Sequence, residues 1–458
     1  MFGGRDMALI TQTGSIYGPR SKTICHGASG GLAHARTPSR PARRPFTPRL
    51  LDAMKVLPAL TVSLLFAAVA SAGRSAPSTG MPFYGDPPDA HHPWAIHDQN
   101  RPQPKRVEPG TFSTPEQPGQ PPSDAIVLFD GTTASLTNWE ADTKAGEPSA
   151  PTKWVVNDGA LECVPKSGYI RTKEQFGDIQ LHVEWAAPKN VKGDSQGRGN
   201  SGIFLMGLKG TADGPEVQVL DNYDNPTYAD GFAASVYGTN PPFANALRPP
   251  GTFQVIDIVF RRPVYRDGKP IDAGYVTVFC NGVLMQDHTP LEGRGGHMKR
   301  TFAGEFPEKG HLKLQDHGNP VRFRNIWLRP LPARSVEGGT NGYLDAAATT
   351  AKRKEIAATV RADAAHLTGT AQLLRLAESL VYEADPATTT QVTQLGTAYA
   401  ADLKKLSGAA LEAKKDEAKS VQHAWQYLAK WNFVPADYAP KTALDAVIKA
   451  QGWDAEKK

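Results

Sequence analysis

Cysteine is nearly absent, with three residues in a chain of 458. Cys163 and Cys280 fall in separate strand-like runs and Cys25 lies near the N-terminus, with no CxxC pair and no Cys/His metal spacing. That pattern excludes a structural zinc module and a disulfide-stapled scaffold. An oxidising compartment permits Cys163 and Cys280 to pair, and two unpaired core thiols account for them at least as well. Long apolar runs are also missing. None reaches the length of a membrane-spanning helix with clear flanks, so no permanent anchor is expected. Net charge is missing from most of the chain. The formal balance is +5, but residues 1–72 hold nine basic and two acidic groups, while the other 386 hold 42 and 44. The bulk of the protein therefore lacks a basic footprint for a phosphate backbone, and nucleic acid is not an expected partner.

What is present points to short strands. The 43 Gly and 38 Pro favour turns, and 40 % hydrophobic with 21 % charged residues supports a folded core. Length alone suggests two to four units. The N-terminal charge belongs to a targeting pattern: Met54-Lys55, an apolar stretch Val56 to Ala70, then the small-x-small site Ala70-Ser71-Ala72. It reads as a secretory signal over 54–72, implying a secreted or periplasmic protein. Its late position predicts that Met54 is the true start and that 1–53 is an over-extended reading frame or a disordered extension. A long n-region or an uncleaved anchor is the alternative. Residues 73–122, with twelve Pro, read as an extended arm or linker. Within it, His91-His92-Pro93-Trp94 to His97 suggests either a metal site or, better, a solvated arm docking one Trp.

From Ala125 short alternating runs are cut by turn residues. They include IVLF (126–129), IQLHVEW (179–185), EVQVL (216–220), FQVIDIVF (253–260), YVTVFC (275–280) and VRFRNIWL (321–328). Asn157-Asp158-Gly159, Asp267-Gly268 and Asn281-Gly282 are hairpin signals. Ten or so strands without helical patterns between them argue a β-sandwich or barrel over 123–331. In 179–185, Ile179, Leu181, Val183 and Trp185 share one face, and Gln180, His182 and Glu184 the other. A linker is read over 332–342. Beyond it helical stripes appear: Ile356 with Val360; Leu373, Leu374, Ala377, Leu380 and Val381; Val392, Leu395, Tyr399, Leu403 and Leu406. These predict a helical bundle over 343–458, its stripes mainly core, with a partner or oligomer contact as the alternative.

The most informative segment is Glu216-Val217-Gln218-Val219-Leu220-Asp221. Glu216 and Gln218 share a strand face, and a bulge after Gln218 would bring Asp221 beside them. The spacing resembles the Glu-x-Asp-x-x-Glu signature of jelly-roll β-glucanases, with Gln in the middle and Asp at the end. Polar residues merely facing water are the plain alternative. His317, in Gln315-Asp316-His317-Gly318-Asn319-Pro320, sits at a strand end where an imidazole can act as base or metal ligand. His288, after Asp287, and His297 flank a Gly-rich loop from Glu292 to Gly296 and form a weaker metal candidate.

Residues 125–331 resemble the 3-keto-disaccharide hydrolase domain family, formerly a domain of unknown function. The landmarks are Leu128-Phe129-Asp130-Gly131; Trp154 with Asp158-Gly159-Ala160-Leu161; Gly177-Asp178-Ile179 leading to Glu184-Trp185; Asn200-Ser201-Gly202-Ile203-Phe204; Glu216 to Asn222; and Leu314 to Trp327 around His317. Two positions depart: Ala186, and Met206-Gly207, stand where many members carry Arg. The resemblance implies a concanavalin-like jelly-roll β-sandwich, here followed by a C-terminal α-helical bundle. It also implies cleavage of a 3-keto-glycoside or 3-keto-disaccharide, by removal of the carbon-2 proton, loss of the carbon-1 oxygen and hydration of the enone. On that basis Glu216, Glu184 and His317 are expected to form the reactive cluster, with Asp221 as second carboxylate and Gln218 as orienting amide. Asn200, Tyr223, Tyr228 and Tyr237 are expected to contact an oxidised sugar or oligosaccharide. Glu216 and His317, and more weakly His288 and His297, are expected metal ligands for Ca²⁺, Mn²⁺ or Zn²⁺. An ordinary β-glucanase-like hydrolase and a non-catalytic carbohydrate-binding module are the competing functions.

Overall fold

The computed structural model describes residues 82–210, 214–291, 297–298 and 306–454. The expected signal over 54–72, the extension before it, Cys25 and the loop Glu292 to Gly296 lie outside the described residues.

Alternation and turn chemistry divide the central part into fifteen strands among the described residues. The first eight are β1 (Ile126–Phe129), β2 (Trp139–Ala141), β3 (Val155–Asn157), β4 (Ala160–Glu162), β5 (Ile170–Phe176), β6 (Ile179–Ala186), β7 (Ser201–Gly207) and β8 (Glu216–Val219). The rest are β9 (Gln254–Arg261), β10 (Val264–Arg266), β11 (Lys269–Asp272), β12 (Tyr275–Cys280), β13 (Val283–Pro290), β14 (Gly310–Leu314) and β15 (Arg322–Pro330). An eight-stranded sheet runs β13-β12-β9-β6-β15-β4-β3, with β1 also on β15, and a five-stranded sheet runs β2-β5-β14-β7-β8. The pairings are antiparallel, as hairpin connections allow. Asn281 and Gly282 hold φ of 52° and 80° between β12 and β13, the two positive values that a two-residue hairpin turn needs.

Ile179, Leu181, Val183 and Trp185 from one sheet share a single buried cluster with Ile203, Leu205, Val217 and Val219 from the other. The alternate residues must then lie on the two outer faces. The result is a jelly-roll β-sandwich followed by helices. Cys163 and Cys280 are both buried in this core as free thiols, and burial pushes the Cys280 thiol up to about 12.

The helices are α1 (Ala346–Ala364), α2 (Gly369–Ser379), α3 (Pro386–Lys405), α4 (Gly408–Glu412), α5 (Lys415–Lys430) and α6 (Ala439–Ala450). Asp345 and Asp385 cap α1 and α3 by accepting from Ala348 N and Thr388 N, and Pro386 opens α3 where its missing N–H costs nothing. Leu373, Ala377, Val392 and Leu403, expected as stripes, meet in a second buried cluster. Ion pairs hold the segment read as a linker, 332–342. Arg334 pairs with Asp272 at 3.0 Å, and Arg262 pairs with Glu337.

Residues 82–122 form a strap with two attachments. Phe83 is buried in the helical cluster, where Trp94 also packs. Tyr382 Oη donates to Asp98 (2.7 Å), and Asn100 Nδ2 donates to Glu378 (2.6 Å). His91 bonds the Leu344 carbonyl and His92 pairs with Asp89, so both imidazoles are engaged locally. Farther on the strap doubles back, with Glu108 joined to Ser123 and Thr111 to Gln120. This fold lies on the outer face of the larger sheet.

Candidate functional site

Strand register builds one row across the outer face of the five-stranded sheet. Glu140 opposes Arg171, Arg171 opposes Lys313, Lys313 opposes Phe204, and Phe204 opposes Glu216. Directly opposed residues of antiparallel neighbours share a face. A bridge between Val217 and Val236, with Tyr237 N donating to Glu216 O (3.0 Å), extends the row to Tyr237.

The charges on this row are unequally satisfied. Arg171 Nε donates to Glu140 (2.9 Å), and Lys313 Nζ donates to Asp142 (2.9 Å). Phe204 then separates these cations from Glu216. The Glu216 carboxyl is 9 % exposed and has no hydrogen-bond partner among the described residues, and burial pushes it up to about 8. A carboxyl in this state keeps its proton near neutrality and is unusually basic once ionised. Gly202 makes the space for it. A Cβ at that position would stand 2.0 Å from Glu216 Oε1. A glycine inside a strand is the sequence signal for such a close approach, and sequence reasoning passed over it.

Side-chain amides surround the carboxyl's end of the face. Gln218 lies two residues along β8 and opposes Gly202. Gln218 Nε2 donates to Gln196 Oε1 (3.0 Å), and Asn200 Nδ2 donates to the Gln196 carbonyl (2.7 Å). Gln315 Nε2 donates to Tyr169 Oη (2.8 Å). The carbonyl oxygens of Asn200, Gln218 and Gln315, and Ser235 Oγ, are buried without a partner among the described residues. Buried acceptors left unpaired are costly, and they suit a ligand rich in hydroxyl donors. Gln196, Ser235 and Gln315 were not expected at the site. Gln196 in particular is reached only through the loop before β7.

Three of the expected residues, Glu184, Asp221 and His288, are placed elsewhere or otherwise engaged. Glu184 lies on the outer face of the other sheet, fully buried, with Arg324 Nε at 2.7 Å and Ser113 Oγ donating to it at 2.7 Å. It does not join Glu216. The cause is strand order: β6 sits between β9 and β15, in the sheet opposite β8. Asp221 follows β8 without a bulge, since the β7–β8 register is unbroken, and Arg198 Nε donates to it at 2.7 Å. His317 is exposed, and its carbonyl accepts from Asn319. His288 stacks on Tyr275 in the larger sheet, 3.7 Å between ring centres.

Tyr237 and His297 do come together. The Tyr237 hydroxyl is 2.9 Å from the Tyr228 hydroxyl and 3.0 Å from His297 Nδ1. Tyr223, partly exposed, gives its carbonyl to Arg198. As for a metal, no group of three or more His, Cys, Asp or Glu side chains that could hold one occurs among the described residues.

Residues 124–329 match a family described as the 3-keto-alpha-glucoside-1,2-lyase-like domain. A 3-keto-disaccharide hydrolase of Bacteroides thetaiotaomicron is 27 % identical over 252 residues, covering 46 % of this chain and 81 % of that protein. A crystal structure from Parabacteroides distasonis, provisionally assigned as a glycosyl hydrolase, is 40 % identical. It covers 50 % of this chain and 93 % of its own, with a TM-score of 0.46.

Proposed function

Residues 124–329 belong to the 3-keto-alpha-glucoside-1,2-lyase-like family, and from that premise we propose that this protein cleaves 3-keto-glycosides by elimination, with Glu216 as the base. The observation that carries the reading is the lone buried carboxyl among unpaired amide oxygens.

A ketone at carbon 3 acidifies the proton on carbon 2. Ionised Glu216, with its pKa raised to about 8, is a stronger base than an ordinary carboxylate and is tuned near the working pH. It takes that proton, the electron pair forms the enolate, and the enolate expels the oxygen on carbon 1. Water then adds to carbon 1 of the enone, and Glu216 returns the proton to carbon 2. The net change is hydrolysis. The unpaired oxygens of Asn200, Gln218 and Gln315 accept from sugar hydroxyls and fix the ring over the carboxyl.

This route needs no second carboxylate close by. Retaining glycosidases hold two carboxyls about 5–5.5 Å apart, and inverting ones about 6.5–9.5 Å. Here Asp221 is neutralised by Arg198 and Glu184 faces out from the other sheet. The arrangement therefore favours elimination over the ordinary glycosidase reading.

The test is turnover of a 3-keto-glucoside against its unoxidised parent, with and without chelator. Turnover of the ketone alone, with kcat/KM rising as pH climbs to about 8 and levelling above, is the expected result. Glu216→Gln should lower it by at least roughly 10²-fold. Turnover of the parent would indicate an ordinary glycosidase, binding without turnover would indicate a carbohydrate-binding module, and loss with chelator would place a metal in the reaction.

A further inference from the structure

Glu216 supplies only half of the proton traffic that an elimination requires. The leaving oxygen on carbon 1 must gain a proton as the carbon-2 proton departs, and these two positions are on adjacent carbons. An acid is therefore needed within several ångströms of the base.

The register supplies one candidate. Tyr237 is the residue opposite Glu216 across the short pairing of Val217 with Val236. Opposed side chains in such a pair have Cβ atoms about 4.5–5.5 Å apart. Its hydroxyl is the middle of a chain of three groups, with Tyr228 Oη at 2.9 Å and His297 Nδ1 at 3.0 Å. Tyr228 and His297 are both exposed, so the chain leads from the face of Glu216 to solvent. The other hydroxyl of the trio, Tyr228, fixes the orientation of the ring.

We propose that Tyr237 is the acid that protonates the departing glycosidic oxygen, and that His297 resupplies its proton from water. The assignment rests on the elimination reading of Glu216. In the first step the bond from carbon 2 to hydrogen breaks towards Glu216 and the bond from carbon 1 to oxygen breaks. The leaving oxygen takes the phenol proton of Tyr237, and His297 replaces it across the 3.0 Å bond while drawing a proton from water through its other nitrogen. In hydration the flow reverses. The hydroxyl of water bonds to carbon 1, its proton leaves through Tyr237 and His297, and Glu216 protonates carbon 2. All three groups end as they began. Burial, followed by the bond to Tyr228 and the nearby acidic groups Glu216 and Asp230, raises the Tyr237 phenol above its ordinary range. The phenol thus holds its proton until a strongly basic oxygen appears.

The test varies the leaving group. A methyl 3-keto-glucoside must have its departing oxygen protonated, whereas a 4-nitrophenyl 3-keto-glucoside releases a stable phenolate without help. Tyr237→Phe in the full chain should slow single-turnover release of methanol from the methyl glycoside by about 10²-fold, and change single-turnover release of nitrophenolate, which precedes hydration, by no more than about threefold. His297→Gln should show a smaller loss on the methyl glycoside only, restored by added imidazole. Equal loss on both substrates, or none on either, would overturn the assignment and leave Glu216 as base. A wild-type protein inert toward both ketones would overturn the reaction itself, and this acid with it.

Discussion

Glu216 is a residue whose surroundings oppose its charge. It is buried, it lacks a partner among the described residues, and Phe204 stands between it and Lys313. The cost has a definite sign. Between pH 4.5 and about 8 the unfolded carboxyl releases its proton while the folded one keeps it, so folding stability falls across that window and is flat above it. Glu216→Gln removes the penalty. Urea midpoints of the variant and the wild type should diverge from pH 4.5 to pH 8, the variant ending more stable by a few kcal/mol. Parallel curves would mean that the carboxyl is solvated or paired. The sequence made Glu216 and Gln218 legible as one strand face, because alternation is a local property. It could not show that Arg198 neutralises Asp221, or that Tyr237 opposes Glu216, because those contacts join positions about twenty residues apart.

The same limit operates on whole strands. The run 179–185 was readable as a strand with Glu184 and His182 on one face, but its place between β9 and β15 is set by long-range pairing. The outer face there is a sealed ionic cluster. Arg324 bridges Glu184 and the strap carbonyls of Thr114 (2.8 Å) and Glu116 (3.1 Å), and it lies 3.8 Å over the Phe253 ring. Burial opposes the charge on His182, but bonds to Asp257 and then Glu184 overcome it and hold the imidazole up at about 9. Burial also opposes the charge of Glu184, and its hydrogen bonds, led by His182, hold its carboxyl below the usual range. Removing the guanidinium takes the 2.7 Å cation from the fully buried Glu184 carboxylate and leaves the strap carbonyls of Thr114 and Glu116 without their donor. Arg324→Met should therefore cost roughly 3–5 kcal/mol by denaturant titration, and adding Glu184→Gln should recover part of it. A loss below about 1 kcal/mol would show that water reaches the pair. The hairpins were legible for the opposite reason: Asn281-Gly282 encodes its own backbone geometry within two residues.

For the whole molecule, the strap is the element that sequence left most open, since a Pro-rich stretch carries no periodicity to read. Its first half is anchored by Phe83, Asp98 and Asn100 to the helices, and its second by Ser113 and the Arg324 contacts to the sandwich. Residues 101–106 between the two attachments are exposed. Limited digestion with trypsin should cut after Lys105 or Arg106. Both pieces should then elute together in size exclusion and separate only in denaturant, whereas dissociation in plain buffer would show that the anchors are weak. With the strap fastened at one end to the C-terminal helices and at the other to the sandwich, the backbone closes on itself like a belt. Its bare stretch at the buckle is where new chain ends could be opened, or a foreign domain spliced in, while the face that carries Glu216 stays undisturbed.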